Sequence, residues 1–249
     1  MLLRVEDIDA TRCRPEFVAG IFEDLRWLGV AFEEPVRRQS AHVADYQAAS
    51  AKLQAAGLLY PCFASRKEIE AAVGTSAERD PDGAPMYPGL WRDADPVKVA
   101  RRKQAGEPYA LRLDMHRALS GQARPSTWRG FEPSEPSMAR NHPASPGRWG
   151  DAVIVRKEIP TSYHLSVVAD DAFQGVTHVV RGQDLEAATD LHRLLQALLG
   201  LPSPLYHHHR LIVGPIGRKL SKSFGDISLG QLRREGATPG DVRHLVGLV

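Results

Sequence analysis

A strand–helix–strand pattern between Gly175 and Val213 constrains the fold more than any other feature of the sequence. A strand closed by Gly182 is predicted by GVTHVVRG, and a second strand is predicted by LYHHHRLIV. Between them, DLEAATDLHRLLQALLG predicts an amphipathic helix that ends at Gly200. Its apolar residues recur at helical spacing: Leu185, Ala188, Leu191, Leu195 and Leu198. Strands that alternate with helices indicate an α/β sheet that is parallel in part.

The N-terminal part shows the same alternation. Residues 1–5 predict an apolar strand, and Pro15 begins a predicted helix that ends near Gly29. A second helix is expected in AHVADYQAASAKLQAAG, with Gly57 as its stop, and a short strand in LLYPCF. The expected order is strand, helix, helix, strand.

The rest of the chain is less regular. Residues 74–92 and 121–150 are rich in residues typical of turns and predict loops. Further strands are predicted in YALRLDM, WGDAVIVRKE and SYHLSVVADD. Two short helices are expected around residues 229–234 and 241–246.

Composition limits the class of protein. With 249 residues, 43% hydrophobic and 25% charged, the chain has the length and composition of a folded domain. A net charge of +2 is too balanced to indicate a nucleic-acid-binding surface by itself. No run of about 18 apolar residues predicts a membrane span. Cys13 and Cys62 are too few for a disulfide framework, which favours a reducing cytoplasm.

The loop GRKLSKSFGD, at residues 217–226, carries the clearest chemical signal. Its lysines and serines can lie along a triphosphate and stabilise the charge that develops as pyrophosphate leaves. A basic pentapeptide in isolation would more often be a solvated loop. The sequence around it therefore decides its interpretation.

That sequence resembles class I aminoacyl-tRNA synthetases, in which KLSKS matches the K-M-S-K-S signature with Leu220 in the methionine place. Other segments look like glutamyl-tRNA synthetases in the right order: RVEDID, QSAHVADYQAAS, LLYPCF, SYHLSVVADDAFQGVTHVVRGQDL and HRLLQALLGLPSPLYHHHRL. The chain stops at Val249, soon after Ser223, where a glutamyl-tRNA synthetase continues into an anticodon-binding region. In this the chain resembles the glutamyl-queuosine tRNA(Asp) synthetases.

The resemblance implies a Rossmann-like α/β catalytic domain of the class I synthetases over residues 1–249, with an irregular insertion. We expect the first part of the core at 1–59 and the insertion at 60–148. The second part of the core, with the KLSKS loop, is expected at 149–225, and short C-terminal helices at 226–249.

The resemblance also assigns a glutamate pocket. Glu6 matches the carboxylate that holds the glutamate ammonium group, and Tyr163 and Arg181 match the two residues of the substrate pocket. A phenol and a guanidinium suit a carboxylate ligand. Taken alone, Glu6 and Asp9 would more often be a solvated turn, and Arg181 a surface ion pair.

For ATP, the resemblance implies Lys219 and Lys222 as catalytic residues, with Lys222, Ser221 and His208 as ATP contacts and Mg²⁺ accompanying the nucleotide. The run HHH at 207–209 also suggests a metal, but consecutive residues of a strand face opposite sides. His207 and His209 could therefore converge, whereas His208 faces the other way. We expect no metal at this run.

Many glutamyl-queuosine enzymes carry a zinc site in the insertion, with a Cys-x-Cys pair, a tyrosine and a third cysteine. In this chain Cys62 and Tyr87 match, while Ala64 and Trp91 stand in place of the other two ligands. Two of four ligands hold a structural zinc poorly. We therefore expect no zinc, and apolar packing around Trp91 instead.

Members of this class begin with a strand, a loop of small residues and an H-x-G-H signature that opens the first helix. No H-x-G-H occurs in these 249 residues. We expect that Met1 is an internal methionine and that about 40–50 upstream residues supply this strand–helix unit. The alternative is a truncated gene whose product is damaged and inactive.

The expected function is ATP-dependent activation of L-glutamate and its transfer to queuosine in the anticodon of tRNA(Asp), by a cytoplasmic monomer without membrane contact. One alternative is a shortened glutamyl-tRNA synthetase that charges tRNA(Glu). Another is a non-catalytic tRNA-binding remnant that uses basic residues such as RRKQ at 101–104. Those residues equally suit the solvated end of a helix, which we favour.

Overall fold

The computed structural model describes residues 1–9, 11–74, 78–121, 127–214, 217, 220 and 227–248. The chain divides into two units, each described by itself: Met1–Ala41 with Arg210–Val249, and His42–His209. The four-segment division expected from the sequence stays a prediction. None of the described helices has the length and apolar character needed to cross a membrane.

Helices and strands alternate along the described residues. The helices are α1 (Pro15–Trp27), α2 (Val43–Ala55), α3 (Arg66–Val73), α4 (Pro96–Gln104), α5 (Met115–Ser120), α6 (Tyr163–Phe173), α7 (Glu186–Leu199), α8 (Leu229–Arg234) and α9 (Pro239–Leu245). The strands are β1 (Arg4–Val5), β2 (Arg37–Arg38), β3 (Leu59–Cys62), β4 (Ala110–Leu113), β5 (Thr127–Glu132), β6 (Glu135–Pro143), β7 (Val153–Val155), β8 (His178–Gly182) and β9 (Leu205–His209).

The first unit contains β1 and β2, which pair in parallel, together with α1, α8 and α9. Pro15 lies at the first position of α1, where its missing N–H costs no hydrogen bond. Arg233 of α8 forms ion pairs with Glu23 and Asp24 of α1, at 2.8 and 3.1 Å. The helices predicted near both ends of the chain are confirmed by α1, α8 and α9.

The second unit contains two sheets. In one, β3, β4 and β7 are antiparallel neighbours. In the other, the order is β6-β5-β9-β8, and β8 and β9 are parallel strands connected by α7. The strand–helix–strand pattern predicted between Gly175 and Val213 is thus confirmed, with Gly200 in the left-handed conformation that ends α7.

A hydrophobic core joins α2, α6 and α7 to the three-stranded sheet. Its side chains are withdrawn from solvent, and the central ones are Leu53, Leu113, Ile154, Leu165, Leu191, Leu194 and Leu195. Helix α7 supplies three of these leucines: Leu191 and Leu195, which belong to the predicted apolar face, and Leu194, which does not. This helix therefore carries much of the core of the second unit.

The prediction of a strand in SYHLSVVADD was wrong, since these residues form most of α6. Ser162 caps the helix by accepting a hydrogen bond from the Leu165 N–H. Leu165, Val167, Val168 and the polar Asp170 are all buried. A helix buried on several faces reads as a short apolar run, which periodicity alone does not separate from a strand.

The prediction of a loop over residues 121–150 was also wrong, because β5 and β6 form an antiparallel hairpin there. Trp128 and Phe131 are buried from β5, whereas β6 is mostly exposed and contains Pro136 and Pro143. Such a polar edge strand lacks the apolar alternation that marks a strand in sequence.

Leu191→Ala tests the core directly. Truncating a fully buried leucine should lower the free energy of unfolding by about 2–5 kcal/mol, through lost burial and the cavity left behind. Urea unfolding of the purified protein measures this. Val97→Ala is the control, because Val97 is 75% exposed on α4 and its loss should change stability by less than about 0.5 kcal/mol. Similar values for the two variants would contradict this description of the core.

Candidate active site

Arg181 lies at the centre of a polar cluster on the four-stranded sheet. It is on β8, directly opposite His208 of the parallel strand β9. Its Nη2 donates to Thr189 Oγ1 at 2.6 Å, its Nη1 lies 3.1 Å from His192 Nδ1, and its Nε donates to His208 Nε2 at 3.4 Å. The guanidinium also lies over the ring of Tyr206, 5.3 Å from its centroid. Among the described residues, Arg181 thus forms hydrogen bonds with neutral side chains and not the surface ion pair that was the alternative.

The histidines around Arg181 are neutral. Burial, and then the charge of Arg181, lower the pKa of His208 from 6.5 to about 4. The same two causes lower the pKa of His164 to about 4 and the pKa of His192 well below its usual value. Burial also raises the pKa of Tyr206 to about 12. The described histidines and tyrosine around Arg181 are therefore uncharged and do not offset the charge of the guanidinium.

Tyr163 is separated from Arg181 in space by one side chain, that of His192. It is the first residue of α6, and its ring is 5.7 Å from the ring of His192 and 5.5 Å from that of His164. His192 contacts both Tyr163 and Arg181. The structure thus brings Arg181 and His208 into direct contact and connects Tyr163 to them through His192.

His208 and His207 face opposite sides of β9, as strand geometry predicted. His208 shares a face with Tyr206, and their rings are parallel at 6.2 Å. On the other face, His207 Nδ1 lies 3.2 Å from the carbonyl oxygen of Phe131. Beside His208 is a cavity of about 160 Å³, whose wall includes the stacked rings of Trp128 and His142.

The other predicted site residues belong to the first unit or lie outside the described residues. Glu6 follows β1 in the first unit, is exposed, and lies 3.6 Å from the guanidinium of Arg4. Lys219, Ser221 and Lys222 lie outside the described residues. Their roles stay predictions.

The residues at the positions of the family's zinc site pack together in a buried, largely apolar cluster. Cys62 Sγ donates to Tyr87 Oη at 3.3 Å, and the same oxygen accepts the Trp91 backbone N–H at 3.0 Å. Trp91 packs against Phe63 with ring centroids 4.9 Å apart, and Ala64 is buried in the same cluster. The apolar packing predicted around Trp91 is therefore confirmed. This residue set does not fit zinc, since alanine and tryptophan offer no ligand atom.

Across the described residues, no group of three or more histidine, cysteine, aspartate or glutamate side chains has a geometry that could hold a metal ion. Both cysteines are free thiols.

The basic run at 101–104 is the end of a helix. Arg101, Arg102 and Lys103 lie in the last turn of α4, where cations interact favourably with the helix dipole. Arg102 donates to Glu107 and lies over the rings of Phe63 and Trp91. The interpretation as a solvated helix end is confirmed, with Arg102 also packing on aromatic rings.

Four residues of the cluster were missed in the sequence: His164, Thr189, His192 and Tyr206. Thr189 and His192 are three residues apart on α7 and are almost completely buried. A usable signal was available, because both lie beside the predicted apolar face of a helix that follows the strand of Arg181. Polar residues that widen an apolar face are candidates for a buried site.

Comparison with known proteins places the chain in a family. Residues 1–248 match the family described as tRNA synthetases class I (E and Q), catalytic domain. The chain belongs to this family. The fold class expected from the sequence, a Rossmann-like class I synthetase catalytic domain, is thereby confirmed, and so is the expected enzyme class, a ligase of the aminoacyl-tRNA synthetase type.

Individual members of the class I synthetase family are also similar. A glutamyl-Q tRNA(Asp) synthetase of Rhodobacter capsulatus is 45% identical over 254 residues, covering 99% of this chain and 87% of that protein. A protein of the same name from Symbiobacterium thermophilum is 36% identical, covering 100% of this chain and 76% of that protein. A crystal structure of the glutamate–tRNA synthetase from Elizabethkingia anophelis matches with a TM-score of 0.66 and 25% identity. That match covers 90% of this chain and 46% of the other, so the chain spans about half of that structure.

The neutral histidines predict a pH dependence of stability. Because burial lowers the pKa of His164 in the folded protein to about 4, the unfolded chain binds more protons between that pH and 6.5. The free energy of unfolding should therefore decrease as the pH is lowered through this window, and His164→Asn should reduce the decrease. Urea unfolding at about pH 7 and about pH 4.5 measures the difference.

The control for this experiment is His116→Asn, since His116 is exposed on α5. It should lose as much stability as the wild-type protein over the same pH change. An equal loss in the wild-type protein and in His164→Asn would contradict the assignment of a neutral His164.

Proposed function

We propose that this chain is the catalytic domain of a glutamyl-Q tRNA(Asp) synthetase, which activates L-glutamate with ATP and transfers it to queuosine in the anticodon of tRNA(Asp). The observation that carries the proposal is the cation at Arg181, which the described structure surrounds with neutral acceptors. The similarity to proteins of that name supports the choice of tRNA. The two free thiols favour the cytoplasm as the place of the reaction, and we expect a monomer.

Arg181 and Tyr163 are proposed to bind the side-chain carboxylate of glutamate. A guanidinium that already donates to Thr189, His192 and His208 still has N–H groups for a ligand, because arginine has five donors. Charge-assisted hydrogen bonds to a carboxylate are about twice as strong as neutral ones. Glu6 is proposed to bind the ammonium group of the same substrate.

The remaining residues are assigned to ATP. Lys219, Ser221 and Lys222 are proposed to bind the phosphates, and His208 to lie near the nucleotide beside the cavity of about 160 Å³. In the first step, the α-carboxylate of glutamate attacks the α-phosphorus of ATP, the bond between the α- and β-phosphates breaks, and pyrophosphate leaves. Mg²⁺ would accompany the nucleotide and offset part of the phosphate charge. Lysines placed along the phosphates stabilise the charge that accumulates on the leaving group. In the second step, queuosine attacks the glutamyl carbonyl and AMP leaves.

Activation is tested by ATP–pyrophosphate exchange with the full-length gene product. Exchange should depend on glutamate and proceed without tRNA. Arg181→Gln should raise the KM for glutamate about 10- to 100-fold, since it removes a hydrogen bond to a charged ligand that contributes about 1.5–3 kcal/mol. Arg129→Gln is the matched control, because Arg129 is an exposed arginine on β5 of the same sheet.

Two outcomes would contradict the proposal. The first is the absence of glutamate-dependent exchange in the wild-type protein. The second is a KM for glutamate in Arg181→Gln that equals that of Arg129→Gln.

The acceptor is tested separately with labelled glutamate and three RNAs. The label should pass to tRNA(Asp) that contains queuosine, but not to tRNA(Asp) without queuosine or to tRNA(Glu). Charging of tRNA(Glu) alone would replace the proposal with a glutamyl-tRNA synthetase. Binding of tRNA without transfer of label would indicate the non-catalytic alternative.

A further inference from the structure

His192 is a buried side chain that uses both of its ring nitrogens. It lies on α7 with 1% of its surface exposed. Its Nδ1 is 3.1 Å from Arg181 Nη1, and its Nε2 is 3.1 Å from His164 Nδ1. Neither interaction is part of the apolar core to which the leucines of α7 belong. This residue therefore connects the candidate glutamate ligand to a second histidine.

The chemistry of arginine fixes which nitrogen carries each proton. A guanidinium only donates hydrogen bonds, so His192 Nδ1 is the acceptor and carries no proton. A neutral imidazole then has its proton on Nε2, which donates to His164 Nδ1. The direction of both hydrogen bonds follows from the single fact that Arg181 has no acceptor.

A second set of acceptors lies on the other side of the guanidinium. Thr189 Oγ1 accepts from Arg181 Nη2 at 2.6 Å and lies 3.0 Å from His208 Nε2. Because that nitrogen accepts from Arg181 Nε, the Thr189 hydroxyl is the donor in the second contact. His208 Nε2 also lies 3.4 Å from Arg181 Nε. All three nitrogens of the guanidinium are thus directed toward partners on α7 and β9. A planar group held at three points has one orientation.

The acceptors differ from the usual partner of a buried arginine, which is a carboxylate. A carboxylate at residue 192 would also accept from Nη1, but it would cancel the charge of Arg181. An aliphatic side chain would fill the space and leave Nη1 without an acceptor in a desolvated position, which is unfavourable. A neutral imidazole fixes the group and preserves its charge.

We propose that His192 is a positioning residue for substrate binding: its Nδ1 fixes the orientation of the Arg181 guanidinium, and its neutrality leaves the charge of Arg181 for the glutamate carboxylate. The inference rests on the proposed role of Arg181 as a glutamate ligand. It assigns the specificity for an acidic amino acid in part to a side chain that does not itself contact the substrate.

Three variants of His192 separate orientation from charge. His192→Leu removes the acceptor and should raise the KM for glutamate at least about tenfold, with kcat and the KM for ATP within about threefold of wild type. His192→Asn restores a neutral acceptor near Nδ1 and should recover most of the loss. His192→Asp places an acceptor of nearly the same shape as asparagine at this position but adds a negative charge, and it should not recover the loss. His116→Leu is the control, since His116 is exposed on α5.

Each variant result has a stated meaning. An unchanged KM for glutamate in His192→Leu would overturn the proposal. A decrease in kcat and an increase in the KM for ATP as large as the increase in the KM for glutamate would overturn it too. If His192→Asp binds glutamate as well as His192→Asn, the claim about charge is wrong. Urea unfolding at neutral pH identifies a variant that fails to fold, in which case the Asn and Asp pair decides.

A second measurement does not depend on activity. The ¹⁵N chemical shifts of the His192 ring in the wild-type protein report which nitrogen carries the proton. The proposal requires an unprotonated Nδ1 and a protonated Nε2, and a protonated Nδ1 would overturn it. If the wild-type protein shows this tautomer but no glutamate-dependent exchange, the proposed function fails while the hydrogen-bond geometry stands.

Discussion

The hydrogen bonds of the Arg181 guanidinium are the interaction on which the candidate site depends. They exist because β8 and β9 pair in parallel, which places Arg181 opposite His208. The helix that connects these strands, α7, supplies Thr189 and His192, which contact the same guanidinium. One strand–helix–strand unit therefore provides the cation and the partners that orient it.

This unit combines two demands on α7. Leu191, Leu194 and Leu195 are fully buried in the core, while Thr189 and His192, interleaved with them, are buried in the polar cluster. Burying polar groups costs free energy unless each is hydrogen-bonded, and the described partners meet that condition. Packing of the apolar side holds the helix in place. Thr189 and His192 are thereby held where they accept hydrogen bonds from the guanidinium. Stability of the core and geometry of the site are thus coupled through one helix.

The sequence predicted this unit well because its signals are local. The periodicity of α7 and the glycine at its end are visible without knowing what the helix packs against. The strand assignment of α6 failed because burial on several faces removes that periodicity, and the β5–β6 hairpin was missed because its edge strand is polar. Resemblance to a family pointed to Arg181, Tyr163 and His208, but their mutual contacts required three-dimensional coordinates. His192 was missed because its place beside the apolar face of α7 marks it in sequence only as a candidate for burial, whereas its role depends on the contact with Arg181.

The central claim is that a positive charge surrounded by neutral acceptors selects an acidic amino acid. Isothermal titration of the full-length wild-type protein with L-glutamate and with L-glutamine tests it most directly, because the two ligands have nearly the same shape and differ in the charge of one group. We expect saturable binding of glutamate and at least about tenfold weaker binding of glutamine, a difference of about 1.4 kcal/mol or more. Equal affinity for the two amino acids would contradict it.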